Sequence, residues 1–206
     1  MQTNIFWTGR KYYSFENCIC NFNESGNRIE STIVGLYQQQ LYKVEYMIET
    51  NAQWETTSIV LATQLNDKRS VHRYDGDGNG NWKQNGKAVS EFKGCVDVDL
   101  PLSPFTNTLP IRRLGLAVHE SVEITVMYLD ILENSFRPVR QKYERRSGTE
   151  YKYENIPNDF EALITVDLDG LVVDYPELFT RTACVESKYD LTAASRLASM
   201  MKTENG

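Results

Sequence analysis

Period-two alternation of apolar and polar residues is the dominant pattern along the chain, and it predicts strands. In residues 41–48, Tyr42, Val44, Tyr46 and Ile48 share one face, while Lys43 and Glu45 share the other with Glu49 beyond them. In residues 122–128, Val122, Ile124, Val126 and Tyr128 form another such face. Further strands are expected over 29–37 (weakened by Gly35), 54–61, 68–74, 111–116, 138–146, 150–155, 160–167, 171–173 and 179–185. Trp7, Tyr12, Tyr13 and Phe15 are expected to tie the N-terminal segment onto the sheet. Only the end of the chain changes period. Leu191, Ala194, Leu197, Ala198 and Met201 have helical spacing, which predicts a short C-terminal helix or frayed tail over 187–206.

Turn chemistry divides these strands. Asp75-Gly76-Asp77-Gly78-Asn79-Gly80-Asn81 opens like a calcium-binding EF-hand loop, but its twelfth position is Gly86 where a bidentate Glu is needed. Strand patterns flank it, so a hairpin is expected there, and Asn85-Gly86 marks a second tight turn. The densest run of unusual residues is 95–114, CVDVDLPLSPFTNTLPIRRL. Alternation in Val96-Asp97-Val98-Asp99 reads as a strand. Pro101, Pro104 and Pro110 then argue against a helix and for a stiff polar loop returning to another strand. Stiff loops on a rigid sheet are where recognition is usually carried.

The chain has 206 residues and a formal net charge of −6. That length suits a single domain with a sizeable core. An acidic balance without a basic stripe argues against nucleic acid as a partner. No apolar run is long enough to span a membrane as a helix. The first residues lack the apolar core of a secretory signal, so a cytoplasmic location is expected. Cys18 and Cys20, two apart on a strand, would point their thiols to one face. His72 and His119 are not near a cysteine in sequence, so neither a metal nor a cofactor is expected.

The two halves echo each other. Tyr74 precedes Tyr143 by 69 residues, and Trp82 precedes Tyr151 by the same distance. Asp97-Val98-Asp99 precedes Asp167-Leu168-Asp169 by 70 residues. Repeats over about 40–110 and 111–185 would build a mainly β, antiparallel, barrel-like or clam-like sheet with internal duplication. Coincidence in a β-rich composition is the competing explanation.

The paired acids admit two uses. Asp97 with Asp99, and Asp167 with Asp169, would sit on one face of a strand roughly 6.6–6.8 Å apart. That spacing suits acid–base chemistry, but aspartates also close strands by accepting turn amides or arginines. Arg112 and Arg113, adjacent on a strand, would face opposite ways: one paired with Asp97 or Asp99, the other free for solvent or ligand. Trp54, Trp82, Tyr128, Tyr143, Tyr151 and Tyr153 read mostly as core, and also as the aromatic wall of a sugar or amphiphile site.

The block DVDLPLSPFTNTLPIRRL resembles the signature of a bacterial glycolipid-binding family, formerly a domain of unknown function. A Trp element near Trp54, a Gly80-Asn81-Trp82 hairpin, Gln141-Lys142-Tyr143, Tyr151-Lys152-Tyr153 and the segment 166–179 are also similar, so the resemblance covers about 28–182. It implies an antiparallel, repeated, barrel-like β protein and a small amphiphilic ligand such as a glycolipid, and it carries no catalytic residues.

Three functions are therefore expected in turn. The first is non-enzymatic binding of a glycolipid or other amphiphile in a β-walled cavity. Thr106, Asn107, Arg112, Arg113, Tyr143 and Trp54 are its candidate ligand-binding residues. The second is a carbohydrate-active enzyme using the paired aspartates. The third is a protein-interaction module with a packed interior. A cavity continuous with the PFTNT segment favours the first.

Overall fold

The computed structural model describes residues 1–187; the expected C-terminal helix lies outside them. Fifteen strands form one sheet. The first eight are β1 (Gln2–Gly9), β2 (Ser14–Asn23), β3 (Gly26–Tyr37), β4 (Gln40–Asn51), β5 (Thr56–Leu65), β6 (Lys68–Gly76), β7 (Trp82–Gln84) and β8 (Lys87–Ala88). A short two-residue strand, β9 (Val98–Asp99), and one helix, α1 (Phe105–Leu114), follow. The rest are β10 (Ser121–Asp130), β11 (Ser135–Arg145), β12 (Glu150–Ile156), β13 (Glu161–Val166), β14 (Val172–Tyr175) and β15 (Phe179–Ser187).

The spatial order is β8-β7-β6-β5-β4-β3-β2-β1-β15-β14-β13-β12-β11-β10-β9. Sequence neighbours pair throughout, except where β1 meets β15 in the middle and where β8 and β9 end up at opposite edges. Laid flat, fifteen strands would be roughly 67 Å wide at about 4.8 Å per neighbour. The link from Ala88 to Val98 reaches at most roughly 36 Å. The sheet therefore curls until its ends approach. His72 of β6 and Phe136 of β11, each on the third strand from its own edge, meet edge to face with ring centroids 4.8 Å apart. The edge strands β8 and β9 do not pair, so the sheet is a clam and not a closed barrel.

Alternation predicted most of these strands. On β4, Tyr42, Val44, Tyr46 and Ile48 are all buried. Cys18 and Cys20 do share a face, with sulfurs 3.7 Å apart in the core. The N-terminal aromatics belong to more than an anchor: β1 and β2 are full strands at the sheet's centre, and Trp7 Nε1 donates to the Val172 carbonyl at 2.8 Å. Trp54, expected to open a strand over 54–61, instead precedes β5, at φ +65°. The glycine-rich turn is a hairpin joining antiparallel β6 and β7. Asp77 closes it by accepting from the amides of Asn79 and Asn81 at 2.8 and 3.1 Å.

The two meanders, β1–β8 and β10–β15, repeat one pairing pattern, as a duplication would. Each echoed pair falls on two consecutive, paired strands: Tyr74 and Trp82 on β6 and β7, Tyr143 and Tyr151 on β11 and β12. The expected boundary at 110/111 falls inside α1, and β1–β3 precede residue 40.

The largest departure is α1, where a stiff loop and a strand over 111–116 were expected. Pro104 stands at the N-cap, where its missing N–H costs nothing. Ser103 Oγ accepts from the Phe105 amide at 3.2 Å. Only Pro110 lies inside the helix, removing one backbone bond, to the Thr106 carbonyl. Burial outweighs that loss, since every residue of 105–111 is buried. Phe105 and Leu109, one turn apart, enter the core beneath β1–β5, and Ile111 enters a second core with Tyr143, Ile164 and Val172. Gly115 ends the helix at φ +55°. The helix also explains β9. It supplies the crossover that lets β9 pair parallel with β10, Val98 opposite Met127 and Asp99 opposite Tyr128.

Candidate functional site

The parallel pair β9–β10 sets Asp99 beside Tyr128, at the floor of a cavity of about 390 Å³. The adjoining turn of α1 adds Asn107 to the lining. Tyr12 comes from the β1–β2 turn, Tyr153 from β12, and Tyr175 from β14. These rings touch in series. Tyr143 meets Tyr153 at 5.4 Å, Tyr153 meets Tyr175 at 6.2 Å, Tyr175 meets Phe179 at 6.3 Å, and Phe179 meets Tyr12 at 6.2 Å. Such a wall presents apolar ring faces with phenol groups at their margins. Exposed Lys11, Arg137 and Asp159 stand at the mouth.

Asp99 is held by neutral donors alone. Gln141 Nε2 donates to Oδ2 at 2.6 Å, and Thr106 Oγ1 donates to Oδ1 at 3.2 Å. Burial pushes its carboxyl up to about 6; the bonds from Gln141 and Thr106 pull it back, and Asp130 adds to the rise. The residue is partly exposed, because it opens onto the cavity and not into packed core. Beneath it, Gln141 is 1% exposed and Tyr143 2% exposed. The Tyr143 hydroxyl donates to Asn107 Oδ1 at 3.0 Å, which fixes the amide that faces the cavity. Burial pushes the Tyr128 phenol up first, then the charge of Asp99; for Tyr12 burial again comes first, then Asp130.

The six expected ligand residues do not form one site. Thr106, Asn107 and Tyr143 converge on the cavity, as lining or support. Arg113 is taken by Asp97. Arg112 and Trp54 lie together at another hollow, the guanidinium carbon 5.0 Å from the ring centroid, with Asp169 nearby. The expected head-group contact through either arginine is therefore separated from Asn107 and Tyr143. A helix is the cause: in its last turn the two arginines leave α1 in different directions, one to Asp97 and one to Trp54.

The aspartate pairs also separate. Asp167 closes a turn, accepting from the amides of Asp169 and Leu171 at 3.0 and 2.9 Å and from Arg181. Asp169 is exposed, and of the four only Asp99 lines the cavity. Among the described residues, no group of three or more His, Cys, Asp or Glu is placed to hold a metal ion. No sequence motif marks Gln141, Tyr12 or Tyr175 as a ligand-binding residue. Gln141 was signalled weakly, since it shares a strand face with Tyr143.

A second buried carboxyl lies under the same segment. Glu16 is 2% exposed, and its Oε1 accepts from Ser31, Tyr46 and Ser103 at 2.7, 2.7 and 2.8 Å. Its Oε2 has no partner, and burial pushes the carboxyl up to about 7. A larger hollow, about 730 Å³, opens at the clam seam between the β5–β6 and β10–β11 hairpins, with Leu65, Ile131, Leu132 and Phe136 as its apolar lining.

Comparison with known proteins agrees with this architecture. A family model described as "Putative glycolipid-binding" matches residues 4–181. The crystal structure of a DUF1089 family protein from Pseudomonas aeruginosa is similar at TM-score 0.76 and 34% identity, over 82% of this chain and 91% of that one. A beta-barrel-like protein of domain of unknown function DUF1849 from Brucella abortus shares the fold alone, with TM-score 0.51 and 10% identity over 92% of this chain and 98% of that one. No curated protein matches the chain.

Proposed function

The chain belongs to the "Putative glycolipid-binding" family, and we propose on that premise that it binds a glycolipid or related amphiphile without turning it over. The polar head sits above Asp99, and the start of the apolar tail lies along the cavity's own apolar lining, Val139, Phe160 and Leu178. One observation carries this: the aromatic cavity reaches the PFTNT segment at Asn107 and offers fixed polar groups, Asp99 and Asn107, at its floor. Ring faces flanked by a few positioned polar groups are what a sugar needs, since its two faces are apolar and its edge is hydroxylated. Of the four paired aspartates only Asp99 stands in the cavity, and the other carboxylate there, Asp159, is exposed at its mouth.

Native mass spectrometry of the purified protein, with calorimetry using octyl β-D-glucoside below its micelle concentration, tests this. A co-purified amphiphile or saturable glucoside binding, with the glucoside recovered intact, is expected. Neither retained lipid nor measurable binding would overturn it, and release of free glucose would move the assignment to an enzyme.

A further inference from the structure

We propose that the Asp99 cavity selects an ammonium-bearing head group, an amino sugar in preference to a neutral one. This depends on the cavity being the head-group site proposed above, and it adds the charge of the ligand. Two acids two residues apart contrast in their partners. Asp97 is buried and ion-paired with Arg113. Asp99 is less buried and opens onto the cavity, yet no Lys or Arg among the described residues ion-pairs with it, and its two oxygens meet only a neutral amide and a hydroxyl. A carboxylate removed from bulk water is normally matched by a cation. Here the side open to a partner is the cavity itself.

The surrounding rings favour a cation in that space. Tyr12, Tyr128, Tyr153 and Tyr175 line the cavity, and the charge of Asp99 reaches all four phenols. Aromatic faces carry negative potential and attract ammonium groups within about 6 Å. The chain's own cations already use them: Arg137 sits 5.1 Å from the Tyr128 ring and Lys11 5.7 Å from that of Tyr12. Both are exposed, at the mouth, so water screens them and they can move aside. Asp130 and Asp159 add negative charge nearby. An ammonium placed over Asp99 would meet a carboxylate below and ring faces around it, and a hydroxyl in the same position would gain only a hydrogen bond.

Octyl β-D-glucosaminide and octyl β-D-glucoside, which share a tail, test this by calorimetry at pH 7. The wild type is expected to bind the glucosaminide about tenfold more tightly, and in Asp99→Asn the ratio of the two affinities is expected to fall to about one, whatever the variant's absolute affinity. Tyr128→Leu, which removes one ring from the wall, should lower glucosaminide affinity more than glucoside affinity. Equal binding of the two by the wild type overturns the proposal and leaves the head-group site standing. So does a preference that survives Asp99→Asn. Binding of neither compound overturns both.

Discussion

Arg113 grips Asp97 from two nitrogens, Nη2 at 2.6 Å from Oδ2 and Nε at 3.0 and 3.1 Å from the two oxygens. Asp97 is 1% exposed. Arg112, the next residue, lies exposed over Trp54. Arg113→Ala leaves a buried carboxylate unpaired and should cost about 3–5 kcal/mol. Arg112→Ala loses an exposed cation–π contact worth about 0.5–1 kcal/mol. Urea denaturation of both variants checks this, and equal losses would show that the pair does not hold the helix end.

Asp167 and Asp169 should separate in the same way. The Asp167 carboxylate satisfies two turn amides and Arg181, so Asp167→Ala is expected to cost about 1–3 kcal/mol. Asp169 is exposed and its substitution by Ala should stay within about 0.5 kcal/mol. Thermal unfolding of the two variants side by side measures the difference. Equal shifts would mean the turn is held by its backbone alone.

Glu16 makes stability depend on pH. Its folded carboxyl sits at about 7, above the usual carboxylate value of 4.5, so the folded state holds the proton more tightly than the unfolded chain. Its contribution is fully present below about pH 4.5 and is lost as pH rises through 7. Glu16→Gln removes the titration. The variant's stability relative to wild type should therefore rise by about 2 kcal/mol between pH 5 and pH 8. Asp99 titrates in both proteins and cancels. A difference unchanged between the two pH values, by urea midpoints, would place Glu16 in water.

The sheet was legible where alternation is clean, because one face of β4 meets core and the other meets solvent. Hairpin turns at 75–81 and at Asn85-Gly86 were legible for a local reason, since positive φ selects Gly and Asn there. The helix was not. Three prolines in ten residues read as a loop, and what overrides them is burial on both sides of α1, supplied by strands far away in sequence. The cavity was half legible. Thr106, Asn107 and Tyr143 belong to motifs visible in the chain, whereas Tyr12 and Tyr175 reach the cavity only through the pairing of β1 with β15. No local pattern encodes a contact between residues so far apart.

The pairing of β1 with β15 fixes when the protein can be finished. β1 is made before the other described strands, and its outer edge has no partner until β15 is made. The β1–β8 meander is complete roughly one hundred residues earlier, which at about 5–20 residues per second leaves an open edge for about 5–20 s. The tyrosine wall closes at the same moment, since Tyr12 and Phe179 lie on opposite sides of that gap. A nascent chain therefore carries no assembled cavity until β15, its last described strand, is in place, and any ligand is acquired after that strand has paired.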